Sequence, residues 1–217
     1  EKGLNAGAAY VFNKDQGGIG AWGQVAKLAG VDTQAGDMFG STVDLEGEMA
    51  VVGSPLNDEK GLNAGAAYLF DRSTGWGQAK KLTASDPATL DNFGVSVSMS
   101  GTTVAVGSNQ DDDKGSSSGS VYVYDKNKGG NANWGQTTKL TAIEGTANDQ
   151  LGYAVALSGR YLAAGARFDD PRGFKSGSMY VYFRQDDGTW VQLTKFFETN
   201  GDARDYFASA LDIANGT

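Results

Sequence analysis

Residues 37–55 read DMFGSTVDLEGEMAVVGSP, and this stretch decides the fold. Two strand-forming runs, from about Phe39 to Leu45 and from about Met49 to Gly53, flank the turn residues Glu46-Gly47. Two such runs around a two-residue, glycine-containing turn specify a tight β-hairpin. Met49, Ala50, Val51 and Val52 are apolar at every position, so this second strand is covered by protein on both of its faces. A lone half-solvated sheet is therefore excluded.

Working outward, the same pattern returns. Gly7-Ala8-Ala9-Tyr10-Val11-Phe12 recurs at Gly65 to Phe70, as Gly119-Ser120-Val121-Tyr122-Val123-Tyr124 and as Gly177-Ser178-Met179-Tyr180-Val181-Tyr182, with the tyrosines 58, 54 and 58 positions apart. Trp22, Trp76, Trp134 and Trp190 form a second marker, each followed five residues later by Lys27, Lys81, Lys139 or Lys195. A third marker begins at Asp37, Asp91, Asp149 and Asp205 and continues into Phe39-Gly40, Phe93-Gly94, Leu151-Gly152 and Phe207-Ala208. The decapeptide EKGLNAGAAY at 1–10 recurs letter for letter at 59–68. Markers interleaved in one order at a period of about 56 residues define a repeat protein.

Each unit reads as four short strands. In the best-defined one the third runs from about Ala66 to Phe70 and the fourth from about Trp76 to Leu82, where Trp76, Gln78, Lys80 and Leu82 share a face in the manner of an outer strand. Four-stranded sheets that are apolar on both faces stack as blades, so the expected fold is an all-β propeller of four-stranded antiparallel blades, with a β-sandwich as the alternative. First strands are expected near 39, 93, 151 and 207. The units are about 1–36 (partial), 37–90, 91–148, 149–204 and 205–217 (partial), forming a single propeller region. A ring closed from these pieces would lack one strand of sixteen, so they read as part of a larger ring.

Composition limits the chemistry. The chain has 217 residues, no cysteine and no histidine, which removes disulfides, thiolate metal sites and the commonest general base. Glycine takes 32 positions and proline 3. With 18 Lys and Arg against 26 Asp and Glu, the net charge of -8 disfavours nucleic acid and anionic lipid and favours cations. No apolar run is long enough to span a membrane, and the first residues lack the basic and apolar regions of a signal peptide. No phosphate-binding loop or Gly-x-Ser-x-Gly elbow is present.

Phe39-Gly40 with Val52-Gly53-Ser54-Pro55, Phe93-Gly94 with Val106-Gly107-Ser108, and Leu151-Gly152 with Ala164-Gly165-Ala166 resemble FG-GAP repeats, the units of the integrin α-subunit propeller. Lys81-Leu82-Thr83-Ala84 and Lys139-Leu140-Thr141-Ala142 resemble the non-integrin branch. The resemblance implies a propeller, often of seven blades, with extracellular or cell-surface adhesion or ligand binding as its role. In integrins the hairpin loop of the motif carries an Asp-rich calcium sequence, but here it holds only Glu46-Gly47, Ser100-Gly101 or Ser158-Gly159, too short to wrap an ion.

Any calcium must bind elsewhere, and the next loop is where acids cluster. Asn57-Asp58-Glu59-Lys60-Gly61, Asp111-Asp112-Asp113-Lys114-Gly115 and Asp169-Asp170-Pro171-Arg172-Gly173 align, and these carboxylates and amides are candidate ligands: Asn57, Asp58, Asp111, Asp112, Asp113, Asp169 and Asp170. The plainer alternative is that these side chains form turns, with the following Lys or Arg competing for the acids. Asp37, Asp91, Asp149 and Asp205, with Asp32, Asp86 and Glu144 upstream, read as turn or backbone caps, because an active site is built once and not in every unit. The tryptophans read as packing between blades. The expected function is a non-enzymatic extracellular or cell-surface binding module for a protein or glycan, without nucleic acid or membrane insertion, and open to homo- or hetero-assembly. The alternatives are a carbohydrate-active enzyme, for which Asp186, Asp187 and Asp202 are the acids that break the repeat, and a structural part of an extracellular assembly.

Overall fold

Because side chains alternate along a strand, Met49 and Val51 enter one apolar core while Ala50 and Val52 enter another. The computed structural model describes residues 2–214. It contains β1 (Ala9–Lys14), β2 (Trp22–Leu28), β3 (Val43–Glu46), β4 (Met49–Ser54), β5 (Ala66–Asp71), β6 (Gly77–Leu82), β7 (Ser96–Ser100), β8 (Thr103–Ser108), β9 (Ser120–Asp125), β10 (Gly135–Leu140), β11 (Leu151–Ser158), β12 (Tyr161–Ala166), β13 (Ser178–Arg184) and β14 (Trp190–Phe196). These make three four-stranded antiparallel meanders, β3 to β6, β7 to β10 and β11 to β14, and a two-stranded sheet of β1 and β2. The sheets stack as propeller-like blades. No helix among the described residues is long and apolar enough to cross a membrane.

The cores lie between successive sheets. Met49, Val51, Leu69 and Leu82 of the first four-stranded sheet meet Phe93, Val97, Val104, Tyr122 and Trp134 of the second, and Val121, Val123 and Leu140 of the second meet Leu151, Leu162 and Tyr180 of the third. Full burial of each such side chain contributes about 1.5–3 kcal/mol. The first strands β3, β7 and β11 come together and line an open groove of about 510 Å³ bordered by Thr42, Ser96 and Val155. Each first and second strand is joined by a two-residue turn, Glu46 pairing with Met49, Ser100 with Thr103 and Ser158 with Tyr161. Gly47, Gly101 and Gly159 take positive φ at the first turn position, as a hairpin requires.

The Phe-Gly motif departs from the expected strand. β3 begins at Val43, because Phe39 forms a parallel bridge to Gly7 of the preceding sheet and Gly40 turns the chain at φ +89°. Gly65 pairs likewise with Phe93, Gly119 with Leu151 and Gly177 with Phe207. The first strand expected near 207 is only this bridge among the described residues. β6 starts at Gly77, since Trp76 sits at φ +66°. Of the tryptophans, Trp134 is fully in the core between two sheets, Trp76 and Trp190 pack partly against cores, and Trp22 is 68% exposed.

Candidate functional site

The loops between second and third strands and the linkers from one sheet to the next emerge at the same end of the sheets, as a meander dictates. There β10 delivers Lys139, the loop between β8 and β9 delivers Asp111 and Asp113, and the linker from β6 to β7 delivers Asp86. The Lys139 ammonium lies 2.9 Å from Asp86 Oδ2, 2.8 Å from Asp111 Oδ2 and 2.8 Å from Asp113 Oδ2. The Tyr122 hydroxyl is 2.8 Å from Asp86 Oδ1 and 2.9 Å from Asp111 Oδ2, and Ser120 Oγ donates to Asp111 Oδ1 at 2.8 Å. Asp111 is buried, whereas Asp86 and Asp113 are exposed. Burial alone would lower the Lys139 pKa, but the bonds to Asp111, Asp113 and Asp86 outweigh it and hold the ammonium above the usual lysine range. Burial likewise pushes Asp86 upward, and Lys139 and Tyr122 overcome it to hold the carboxyl below 3.8.

The neighbouring units vary one design. In the first, Lys81 bonds Asp32 at 2.5 Å, Asn57 Oδ1 at 3.1 Å and Glu59, while Tyr68 donates to Asp32 at 3.0 Å. In the third, Lys195 pairs with one carboxylate among the described residues, Asp169 at 2.5 Å, to which Tyr180 also donates at 3.0 Å. Glu144, in the place of Asp86, instead accepts from Gln192 at 2.9 Å, and Pro171 stands in the place of Asp113.

The carboxylate oxygens of Asp86, Asp111 and Asp113 lie within 4.8 Å of one another and could hold a metal ion. The donor chemistry qualifies this: a divalent ion would have to displace the lysine that already bonds all three. The other candidate ligands lie apart from this cluster. Asp58 accepts from the Asn63 amide at 2.7 Å, Asp112 from Ser117 at 2.6 Å and Asp170 from Lys175, each closing its loop as a side-chain turn. Asn57 donates to Asp37 Oδ2 at 2.8 Å. The competing cation comes from the fourth strand and not from the loop itself: Lys60 reaches only Glu59, at 3.8 Å, and Lys114 and Arg172 join no ion pair among the described residues. Sequence reasoning missed the lysines as site residues, although their constant spacing from tryptophan was visible.

The acids before the Phe-Gly motif cap backbone. Asp37 accepts from the Gln34 amide at 2.9 Å, Asp91 from Ala88 at 2.7 Å, Asp149 from Thr146 at 2.7 Å and Asp205 from Asp202 at 2.6 Å. Burial, with a contribution from Asp111, pushes the Asp91 pKa up to about 6 from 3.8. The folded state therefore holds this proton more tightly than the unfolded chain, and Asp91 removes stability as pH rises from about 4 to about 6. Asp91→Asn keeps an acceptor for Ala88. It should leave the protein at least as stable as wild type at neutral pH and flatten this part of the profile, read from urea melts at about pH 4.5 and 7; a clear loss of stability at pH 7 would show that the charge itself is needed.

A family model described as FG-GAP repeat matches residues 22–70, 76–124 and 134–182, most of the chain. The chain belongs to the FG-GAP repeat family. Each FG-GAP segment starts at the outer strand of one sheet or just before it and ends on the third strand of the next: 22–70 spans β2 to β5, 76–124 spans β6 to β9, and 134–182 spans β10 to β13. The motif's two glycines meet at the seam this stagger creates. The Gly94 amide donates to Gly107 O at 2.9 Å within one FG-GAP unit, while a Cβ on Gly107 would lie 2.0 Å from Gly152 O of the next. No curated protein matches the chain significantly.

Proposed function

We propose that this chain is part of a non-enzymatic binding or adhesion module, displayed outside the cell or on its surface, whose propeller presents a loop face to a protein or glycan. FG-GAP repeats on a propeller-like fold support a binding or structural module. The observation that carries the non-enzymatic part is the internal use of the recurring acids, which cap backbone amides or bond lysines in unit after unit. The acids that break the repeat also fail to pair. Asp186 bonds Arg160 at 2.8 Å and Asp187 accepts from Thr189 at 2.9 Å in the turn before β14, while Asp202 lies beyond the far end of that seven-residue strand. At about 3.3 Å per residue the two groups are separated by roughly 20 Å, well past the spacing of about 5–9.5 Å at which two carboxylates share a glycosidic bond. The test is a glycan and protein binding screen of the protein run beside a glycosidase substrate screen. Saturable binding without turnover supports the reading, and turnover overturns it.

Calcium is a second, finer reading, favoured by the local charge count of three carboxylates around one ammonium. A thermal melt in EGTA, repeated with millimolar calcium and with magnesium, separates the cases. A lysine-filled cluster gives no selective shift; a rise with calcium alone would assign the ion to Asp86, Asp111 and Asp113, since a ligand stabilises the state that binds it.

A further inference from the structure

The loop face of the third sheet departs from its repeats at several neighbouring positions. Arg167 stands where the other units have Pro55 and Asn109, Phe168 replaces Leu56 and Gln110, Phe174 replaces Leu62 and Ser116, and Lys175 replaces Asn63 and Ser117. In the following linker, Arg204 replaces Leu90 and Asn148, and Tyr206 replaces Asn92 and Gln150. The fold brings these together. Arg167 lies over the rings of Tyr153 at 3.4 Å and Phe168 at 4.5 Å, Lys175 over Phe168 at 3.7 Å, Arg204 over Phe174 at 6.0 Å, and Arg172 over Phe197 at 5.0 Å. Phe168 and Tyr206 pack ring to ring at 5.6 Å.

In a chain of net charge -8, four cations here share one face, and no ion pair among the described residues uses any of them. Arg167 is held by one bond to Gln150 Oε1, at 3.0 Å. Phe174 is 57% exposed and Phe197 and Tyr206 over a third. Aromatic rings and arginine are the residue types that dominate protein contact surfaces. A guanidinium lying over a ring keeps its N–H edge free for a carboxylate.

We propose that this patch binds an acidic, aromatic-compatible segment of a partner protein, with partner carboxylates pairing Arg167, Arg172, Lys175 and Arg204 and partner apolar side chains packing on Phe174 and Tyr206. A neutral sugar ring fits less well, because it offers the four cations no counter-charge. A dense polyanion such as nucleic acid is repelled by the rest of the chain. The inference rests on the binding-module reading and deepens it.

The test is fluorescence anisotropy of the protein with a labelled peptide that alternates glutamate with leucine and glycine, at low salt. Saturable binding is expected, weakened about tenfold or more by Arg172→Gln, Lys175→Gln and Arg204→Gln together. The control Lys60→Gln, Arg72→Gln and Lys114→Gln removes as many charges from the other units and should leave affinity unchanged. Absence of saturable binding overturns the proposal, as does equal loss in both triple variants, preference for a polyuronate over the peptide, or self-association abolished by the patch variant. A ligand from the general screen that binds the patch variant at full strength overturns this inference while leaving the binding-module reading intact. No ligand in either experiment removes both.

Discussion

Lys139→Met should destabilise the protein by on the order of 3 kcal/mol, because it leaves Asp86, Asp111 and Asp113 facing one another without their shared cation. Asp111 is the costly member: its side chain is 4% exposed, so its charge loses both its partner and most access to water. For a chain of this size the loss corresponds to roughly 6–12 °C in Tm. The pH dependence gives the sign. In wild type the lysine holds the Asp86 pKa down, so its stabilisation is present above 3.8 and fades as pH falls through the folded value. In the variant the carboxylates repel, so protonation relieves them and the gap to wild type should narrow in acid. The vacated cluster should also gain from calcium, returning part of the loss. Thermal melts at neutral and acid pH, with and without calcium, read all of this; equal stability of Lys139→Met and wild type at pH 7 would show that the cluster contributes nothing to holding the sheets together.

The second large effect is steric. Gly107→Ala places a methyl group 2.0 Å from Gly152 O and 2.3 Å from Ser96 Oγ, and the first of these is backbone that cannot rotate away. The sheets must separate locally, at a cost of about 3 kcal/mol or more. Gly53, 2.1 Å from Gly94 O, and Gly165, 2.1 Å from Ala208 O, repeat the contact and should behave alike. Gly101→Ala is the comparison: nothing lies within 4 Å of its Cβ, so it pays only the left-handed backbone penalty at φ +59°, about 1 kcal/mol. Chemical unfolding of the two variants should therefore differ by at least about 2 kcal/mol; similar midpoints would mean that the seam yields freely.

How much of this was legible follows from where each interaction is encoded. β4 was readable because Met49 to Val52 are apolar on both faces, a signal carried within the strand itself. The Phe39 position was misread as strand because its pairing partner is Gly7, 32 residues earlier in the chain, and its geometry is set by the left-handed Gly40. The lysine cluster was illegible for a related reason. Asp86 and Lys139 are 53 residues apart, and only the registry of β10 on β9, with Tyr122 opposite Lys139, aims the ammonium at the loop acids. Asp58, Asp112 and Asp170 hold the one position that is acidic in all three aligned loops, and that recurrence reflects a turn that every unit needs.

The offset between repeat and sheet also bears on how such a chain can grow. A copied segment that ran from first to fourth strand would be a self-contained brick, and its faces would have to find new neighbours. One that runs from outer strand to third strand is a dovetail: it closes the sheet behind it and leaves the next one open for an identical successor. Inserting or deleting such a segment lengthens or shortens the array by one sheet while every seam keeps the same glycines in register. Residues 1–10 and 59–68, identical letter for letter, run into the equivalent strands β1 and β5, so one sequence already serves two successive sheets.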